Sequence, residues 1–372
     1  MRPLSNSQIR FPGVSTRSLR SRWVAGAAVL AATALGAAAC SGDSATIQPA
    51  PDAGAGVPTI LATTGIWADV VANVACGGLA EVEPIIPVGG DPHGYEPSLQ
   101  DRARMESAAL VVANGLLLEE GLEDTLEAVE ESGTPVLYFA ETMDTIPFAS
   151  ADAHADDAHT EDDDHDEHEG HDHDDEAHED DHAEDDPHAG HAHAHGSEDP
   201  HVWFDPHRVA EALPMLAQAL AADAGLDAAA VEACLASYQA ELEEVDAEVA
   251  AKVEQLPAAS RKLVTNHEAL GYFADRYGFE VIGTVIPSPS SMAQTNPAGL
   301  EELAEIIEHE GIKAIFAETQ HSVDDVEALA ARVGDVDVVT LYTGTLGPPG
   351  SGAETYVDYM RTNTDLIVDA LS

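Results

Sequence analysis

The sequence predicts an α/β fold of two (β/α) lobes with parallel sheets, joined by one long helix. Three observations carry this. Short apolar segments alternate with helix-period segments over residues 58–139 and again from residue 262 to the C-terminus; strands separated by helices form parallel sheets covered on both faces. A stretch of nearly thirty residues, 228–256, lies between the two series, with Leu235, Tyr238, Leu242, Val245 and Val249 spaced by threes and fours. From about 150 to 199 there is no Lys, Arg, Leu, Ile, Val or aromatic residue, so this run is an insertion within the first lobe rather than a part of either core.

In the first series, 58–63 reads as a buried strand, 66–75 as a helix, 82–87 as a strand and 99–107 as a helix. Strand 110–113, an amphipathic helix over 118–131 and strand 135–139 follow. Helix 206–222 precedes the long helix. The second series runs strand 262–265, helix 268–277, strand 280–285, helix 299–309, strand 313–316, helix 323–333, strand 336–341 and a closing helix. The predicted organisation is a signal segment at 1–39, a tether at 40–57, an N-terminal lobe at 58–227 carrying the 150–198 run, a connecting helix at 228–256, and a C-terminal lobe at 257–372. In open α/β sheets ligands bind beyond the carboxyl ends of the strands, so the crevice between the lobes is where chemistry is expected.

The N-terminus predicts export. The first 39 residues hold Arg2, Arg10, Arg17, Arg20 and Arg22, no acid, and an apolar run from Trp23 to Ala39 that ends at Cys40; this is the charged and then apolar pattern of a secretory signal. Small residues before Cys40 and Ser41-Gly42-Asp43-Ser44 after it resemble a bacterial lipoprotein cleavage site, with Ala37 where Leu is usual. Cys40 is then the lipidated residue, and the chain is held on the outer face of the cytoplasmic membrane by that anchor alone. Cys76 and Cys234 each lie on an apolar-periodic stretch and are expected as two small buried residues, although an exported chain permits a disulfide between them.

Lys and Arg number 15 against 69 Asp and Glu, a formal charge of −54. Such a chain repels nucleic acid and anionic headgroups and attracts cations. The 150–199 run alone holds twelve histidines and 22 acids. It is too polar to offset its own ordering entropy, and it offers closely spaced imidazoles, as in His171-Asp172-His173, for weak binding of divalent ions. It is expected to act as an antenna or buffer beside the site, because an ion held there stays at high effective concentration.

Six further histidines remain. His93 follows the strand ending at 87, His201 is the first histidine after strand 135–139 and the inserted run, and His267 directly ends strand 262–265. All three project toward the crevice, and two share the lead Asp-Pro-His. Imidazole suits zinc, and three histidines with one further position is common zinc coordination. Asp91, Asp199 and Glu268 stand close enough in sequence to hold the second ring nitrogens. His207 at a helix start and His309 on a polar helix face are expected at the surface, and His321 near the crevice rim.

The blocks Asp91-Pro92-His93-Gly94-Tyr95-Glu96-Pro97, Asp199-Pro200-His201-Val202-Trp203-Phe204-Asp205-Pro206 and Thr265-Asn266-His267-Glu268-Ala269-Leu270-Gly271-Tyr272-Phe273 resemble, in order, the three metal-binding blocks of the zinc/manganese substrate-binding lipoproteins of ABC importers. The resemblance spans about residues 58–372. It implies two lobes around a metal, a rigid connecting helix, and delivery of the bound ion, Zn2+ as transported cargo, to an ABC permease. Histidine in the third block accompanies zinc in that family, whereas glutamate there often accompanies manganese. Family members commonly place an aspartate where this chain has Gly344, so the fourth position falls to water, to the inserted run or to Glu318, the first choice. Three histidines with an open position also describe catalytic zinc, for which Glu268 or Glu318 could act as base. No His-Glu-x-x-His helix, nucleophile elbow or phosphate loop is present, so no enzyme is expected, and the chain is expected to be a monomer. A surface metal buffer or adhesin, and a manganese-specific binding protein, are the alternatives.

Overall fold

A computed structural model describes residues 56–148 and 198–372. The signal segment, Cys40 and the acidic histidine run lie outside the described residues. Among the described residues no helix is long and apolar enough to cross a membrane.

The N-terminal sheet contains β1 (Thr59–Ala62), β2 (Glu81–Pro84), β3 (Leu110–Ala113) and β4 (Val136–Tyr138) in the order β2-β1-β3-β4. The C-terminal sheet contains β5 (Lys262–Thr265), β6 (Glu280–Thr284), β7 (Ala314–Glu318) and β8 (Asp337–Leu341) in the equivalent order β6-β5-β7-β8. Every pairing is parallel. The crossovers are α1 (Gly65–Val74), α2 (Leu99–Glu106) and α3 (Glu123–Glu131) in the first lobe. In the second they are α6 (Gly271–Tyr277), α7 (Pro297–Glu310) and α8 (Asp324–Val333). The strand order reverses direction between β1 and β3, and between β5 and β7, which places the crevice beyond those strand ends.

Three helices serve both lobes: α4 (Pro206–Ala222), α5 (Ala228–Val253) and α9 (Tyr356–Leu371). Asp227 caps α5 by accepting the Ala230 N–H, and the helix then runs for 26 residues, about 39 Å at 1.5 Å per residue. Its buried positions, Val231, Leu235, Tyr238, Leu242, Val245, Val249 and Val253, recur at threes and fours and form one stripe. That stripe packs in a core which also takes Ile60, Ala62, Leu110 and Val112 from the first sheet and Leu263, Phe316 and Leu341 from the second. One apolar core therefore backs both sheets. The alternate strand residues, Leu61, Val111 and Ala113 on one side and Val264, Ile315 and Ala317 on the other, pack into separate cores under the outer helices.

The helix expected over 118–131 is shorter in the structure. Gly115, Leu116 and Leu117 all take left-handed backbone, with φ of 82°, 56° and 61°, which L residues rarely adopt. The chain turns back here before α3 starts at Glu123. Residues 268–270 likewise form a turn before α6, and β2 ends at Pro84 rather than 87. The cysteines also differ from expectation: Cys76, just past α1, is disulfide-bonded to Cys234 on α5, with Cα atoms 5.8 Å apart. Packing of α1 on α5 supplies a proximity that a separation of 158 residues could not reveal.

A crosslink closing so long a loop limits the unfolded chain most, and such bonds contribute about 2–4 kcal/mol. The Cys76→Ala/Cys234→Ala protein is therefore expected to lose stability of that order in urea denaturation. An unchanged midpoint and slope would show that packing of α1 on α5 carries the junction alone.

Candidate metal centre

Each candidate histidine stands on a segment that leaves the carboxyl end of a strand. His93 lies on the segment after β2, and His267 two residues beyond β5. His201 begins a short 3-10 turn, Val202–Phe204, that leads into α4. The two ends of the inserted run meet where Pro147 bridges Glu198 and the Asp199 N–H donates to the Ile146 carbonyl at 2.8 Å. The run thus joins the fold three residues before His201.

The three rings converge. His93 Nε2 is 3.3 Å from His201 Nε2, and His267 Nε2 is 3.2 Å from it. All three residues are buried, at 4%, 1% and 1% exposure, and among the described residues they are the group that could hold a metal ion. Zinc bound by imidazoles at about 2.0–2.1 Å in tetrahedral geometry sets neighbouring nitrogens about 3.3–3.4 Å apart. Both Nε2–Nε2 distances agree with that spacing to about 0.2 Å.

Behind each ring stands a carboxylate. Asp199 Oδ1 is 2.7 Å from His201 Nδ1 and also accepts the His201 backbone N–H at 2.9 Å. Glu318 Oε1 is hydrogen-bonded to His267 Nδ1, and Oε2 accepts from Thr343 Oγ1 at 2.6 Å and Gln320 Nε2 at 3.0 Å. This corrects two expectations. Glu318 stands behind His267 rather than beside the Nε2 atoms, with both oxygens engaged there, and Glu318 rather than Glu268 takes the His267 Nδ1 position. The third ring is held more loosely. Glu120 Oε1 lies 3.4 Å from His93 Nδ1, close enough for charge attraction but too poorly aligned for a hydrogen bond, and Asp91 accepts only the His93 backbone N–H at 3.2 Å.

These pairs titrate differently because their surroundings differ. Burial pushes Asp199 up to about 7, against the pull of the His201 N–H and the neighbouring histidines. Burial and the two adjacent imidazoles drive His201 well below its ordinary value. Burial also disfavours a charged His267, but the Glu318 charge and hydrogen bond outweigh it and raise the ring. Glu318 is held down at about 2: its burial is overcome by His267 and the Thr343 hydroxyl. Burial thus favours a neutral His201, while Glu318 favours a protonated His267.

Several residues outside the sequence motifs fix this geometry. Asn114, at the end of β3, donates from Nδ2 to the Pro200 carbonyl at 3.1 Å and accepts from Trp67 Nε1 at 2.9 Å. Buried Glu119 accepts the Asn114 and Gly115 N–H groups at 2.7 and 3.1 Å, which braces the left-handed turn. Tyr272 Oη donates to the Asp199 carbonyl at 2.8 Å from the other lobe, and Trp203 Nε1 donates to the Thr343 carbonyl at 3.1 Å. The His201 segment is therefore bonded to both lobes. An Asn-Gly pair directly after a strand, with an acid four residues on, was the available signal for the first of these supports.

The remaining histidines separate as their positions suggested. His207 opens α4, part exposed, with Nε2 3.6 Å from Glu211; His309 is exposed beside Glu310. His321 Nε2 lies 3.9 Å from Glu318 and 4.0 Å from Asp91 without a hydrogen bond to either.

Comparison with known proteins agrees with this architecture. The family described as "Zinc-uptake complex component A periplasmic" (ZnuA) matches residues 60–370. The chain is 28% identical over 322 residues to the zinc-binding protein TroA of Treponema pallidum, covering 85% of this chain and 90% of that protein. It is 26% identical over 314 residues to the manganese-binding lipoprotein MntA of Halalkalibacterium halodurans, covering 84% and 88%. The solved structure of periplasmic zinc-binding TroA from T. pallidum matches with a TM-score of 0.67 at 28% identity, over 85% of this chain and 100% of that one. With nearly all its described length matched, the chain belongs to the ZnuA family of metal-binding substrate-binding proteins of ABC importers, which are transport proteins rather than enzymes.

Proposed function

We propose that this protein captures Zn2+ outside the cell through His93, His201 and His267 and delivers it to the permease of an ABC importer. In this reading Cys40 carries the lipid anchor. The observation that carries the zinc assignment is the pair of Nε2–Nε2 distances, 3.3 and 3.2 Å, between imidazoles whose Nδ1 atoms face carboxylates. Neutral nitrogen donors favour zinc over the harder manganese ion, which prefers oxygen. Position 344 reinforces this. A Cβ at Gly344 would lie 2.8 Å from Pro92 Cδ and 3.2 Å from Gln320 Nε2, so the His93 segment occupies the space a carboxylate side chain would need there. Water is the fourth ligand in this account. The manganese reading stays in play because MntA carries that metal in its name, and the titration below separates the two.

In competitive titration of the chain from residue 41, one tight zinc site is expected, with manganese bound far more weakly. His93→Ala, His201→Ala and His267→Ala should each weaken it by at least ~10-fold, the scale on which even changes behind the ligands act. Deleting residues 150–198 should remove additional weak sites and leave the tight one. Unchanged affinity in all three alanine variants, or loss of all binding with the run, would overturn the assignment in favour of a metal buffer.

Glu318→Ala should weaken zinc about 10–100-fold by freeing the His267 ring, and the direct measurement is again the competitive Kd. An effect no larger than that of an exposed acid such as Glu301 would remove Glu318 from the site.

Zinc must displace the proton that Glu318 favours on His267. The metal-free form holds that proton more fully as pH falls below the raised His267 value, so zinc affinity falls with it and levels off above. Titrations between about pH 6 and pH 8 should show that slope, and a pH-independent Kd would contradict it.

A further inference from the structure

The tripeptide Asp-Pro-His occurs twice, and the two copies are used differently. In each, the aspartate accepts the backbone N–H of the histidine two residues on, at 3.2 Å for Asp91–His93 and 2.9 Å for Asp199–His201. Asp199 then turns the same oxygen to its own histidine ring, within a segment 1–2% exposed. Asp91 does not. Its second oxygen accepts the hydroxyl of Ser291 at 2.7 Å, across the crevice from the opposite lobe. The His93 ring is left to Glu120, whose side chain is 43% exposed and against which the neighbouring Ser290 hydroxyl lies.

The rest of the His93 segment is seated on the C-terminal lobe in the same way. The Gly89 N–H donates to Thr345 Oγ1 at 3.1 Å. Pro92 sits on Gly344, and Met292 Sδ reaches within 2.7 Å of where a Cβ on Gly94 would stand. The His201 segment is also bonded to the opposite lobe, through the Asp199 carbonyl and Trp203 Nε1. Among the described residues, however, the carboxylate behind its ring takes no bond from a side chain of that lobe, and neither does the one behind His267 from the first lobe. The Asp199 and Glu318 carboxylates that hold these two rings are buried, and each belongs to the same lobe series as its histidine or to the histidine's own segment.

We propose that Ser291 is a positioning residue for His93, acting through Asp91, so that contact between the lobes is read out as zinc affinity at one of the three imidazoles. Contact and binding are then linked in both directions, since a bond that favours the ligating pose of His93 is itself favoured by the bound metal. His93 is the first ligand to loosen when an importer draws the lobes apart, while His201 and His267 keep their carboxylates. The inference rests on the zinc site proposed above.

A double-mutant cycle tests it on the full exported chain. Ser291→Ala should raise the zinc Kd about 10-fold, the lower end of what changes behind a ligand produce, with the melting temperature of the metal-free protein unchanged. Ser291→Thr, which keeps the hydroxyl, should restore binding. In the His93→Ala background the Ser291→Ala change should alter Kd by less than about 2-fold, because neighbours acting through one group are not additive. An unchanged Kd in the single variant, equal losses in both backgrounds, or a threonine variant as weak as alanine would each overturn the proposal while leaving the zinc site standing. Absence of tight zinc from the unmodified protein would overturn both.

Discussion

The structure is organised around three buried imidazoles whose Nε2 atoms converge. Rings whose nitrogens stand 3.2–3.3 Å apart stay in that pose because groups behind them fix it. That requirement propagates outward. The His201 and His267 rings each take a buried carboxylate, and each of these needs donors of its own, since an unpaired buried charge is costly. Glu318 draws in Thr343 and Gln320, and Asp199 takes the His201 N–H. The donors lie at strand ends, the places where a parallel sheet leaves backbone and side chains free to converge.

The two sides of the lobe junction are built from different materials. Away from the metal, the junction is apolar and continuous: the α5 stripe, the two sheet faces behind it and the Cys76–Cys234 bond. At the metal, the lobes meet through hydrogen bonds, Ser291 with Asp91, Thr345 with Gly89, Tyr272 with Asp199 and Trp203 with Thr343. Polar contacts exchange for water at a net cost of only about 0.5–1.5 kcal/mol each, whereas an apolar face has no such substitute. The junction is therefore firm behind and exchangeable in front. A protein that must both hold and surrender an ion needs this distribution.

The three histidines were legible because strand ends, a repeated Asp-Pro lead and the order of the blocks all pointed at one crevice. The parallel two-lobe fold was legible from periodicity. What stayed hidden depended on distance or rotamer. Glu318 was recognisable as a strand-end acid, but whether it meets a metal or a ring nitrogen depends on which edge of His267 faces it, and sequence does not encode that edge. Leu118 reads as the start of an amphipathic helix; the left-handed turn at Gly115, Leu116 and Leu117 just before it, braced by Glu119 bonding backwards to the strand end, delays α3 to Glu123. The disulfide required knowing that α1 packs on α5. Ser291 lies two hundred residues from Asp91 in a Pro-Ser segment with no pattern of its own.

The difference between the two Asp-Pro-His copies is part of a wider inequality among the three converging histidines. The His201–Asp199 pair is driven toward neutrality by burial, with Asp199 raised to about 7 and its ring lowered. The His267–Glu318 pair is held as an ion pair, with the ring raised and Glu318 at about 2. The two pairs thus differ in kind: burial favours the neutral form of one ring and a buried carboxylate favours the protonated form of the other. Among the described residues, His93 has no buried carboxylate hydrogen-bonded behind its ring. Its Glu120 is half-exposed and its Asp91 is committed to the opposite lobe, which makes it the ring whose pose depends most on the crevice being closed. In the proposed zinc site, two rings are held by buried carboxylates and the third ties capture to closure, a division that a symmetric set of three could not provide.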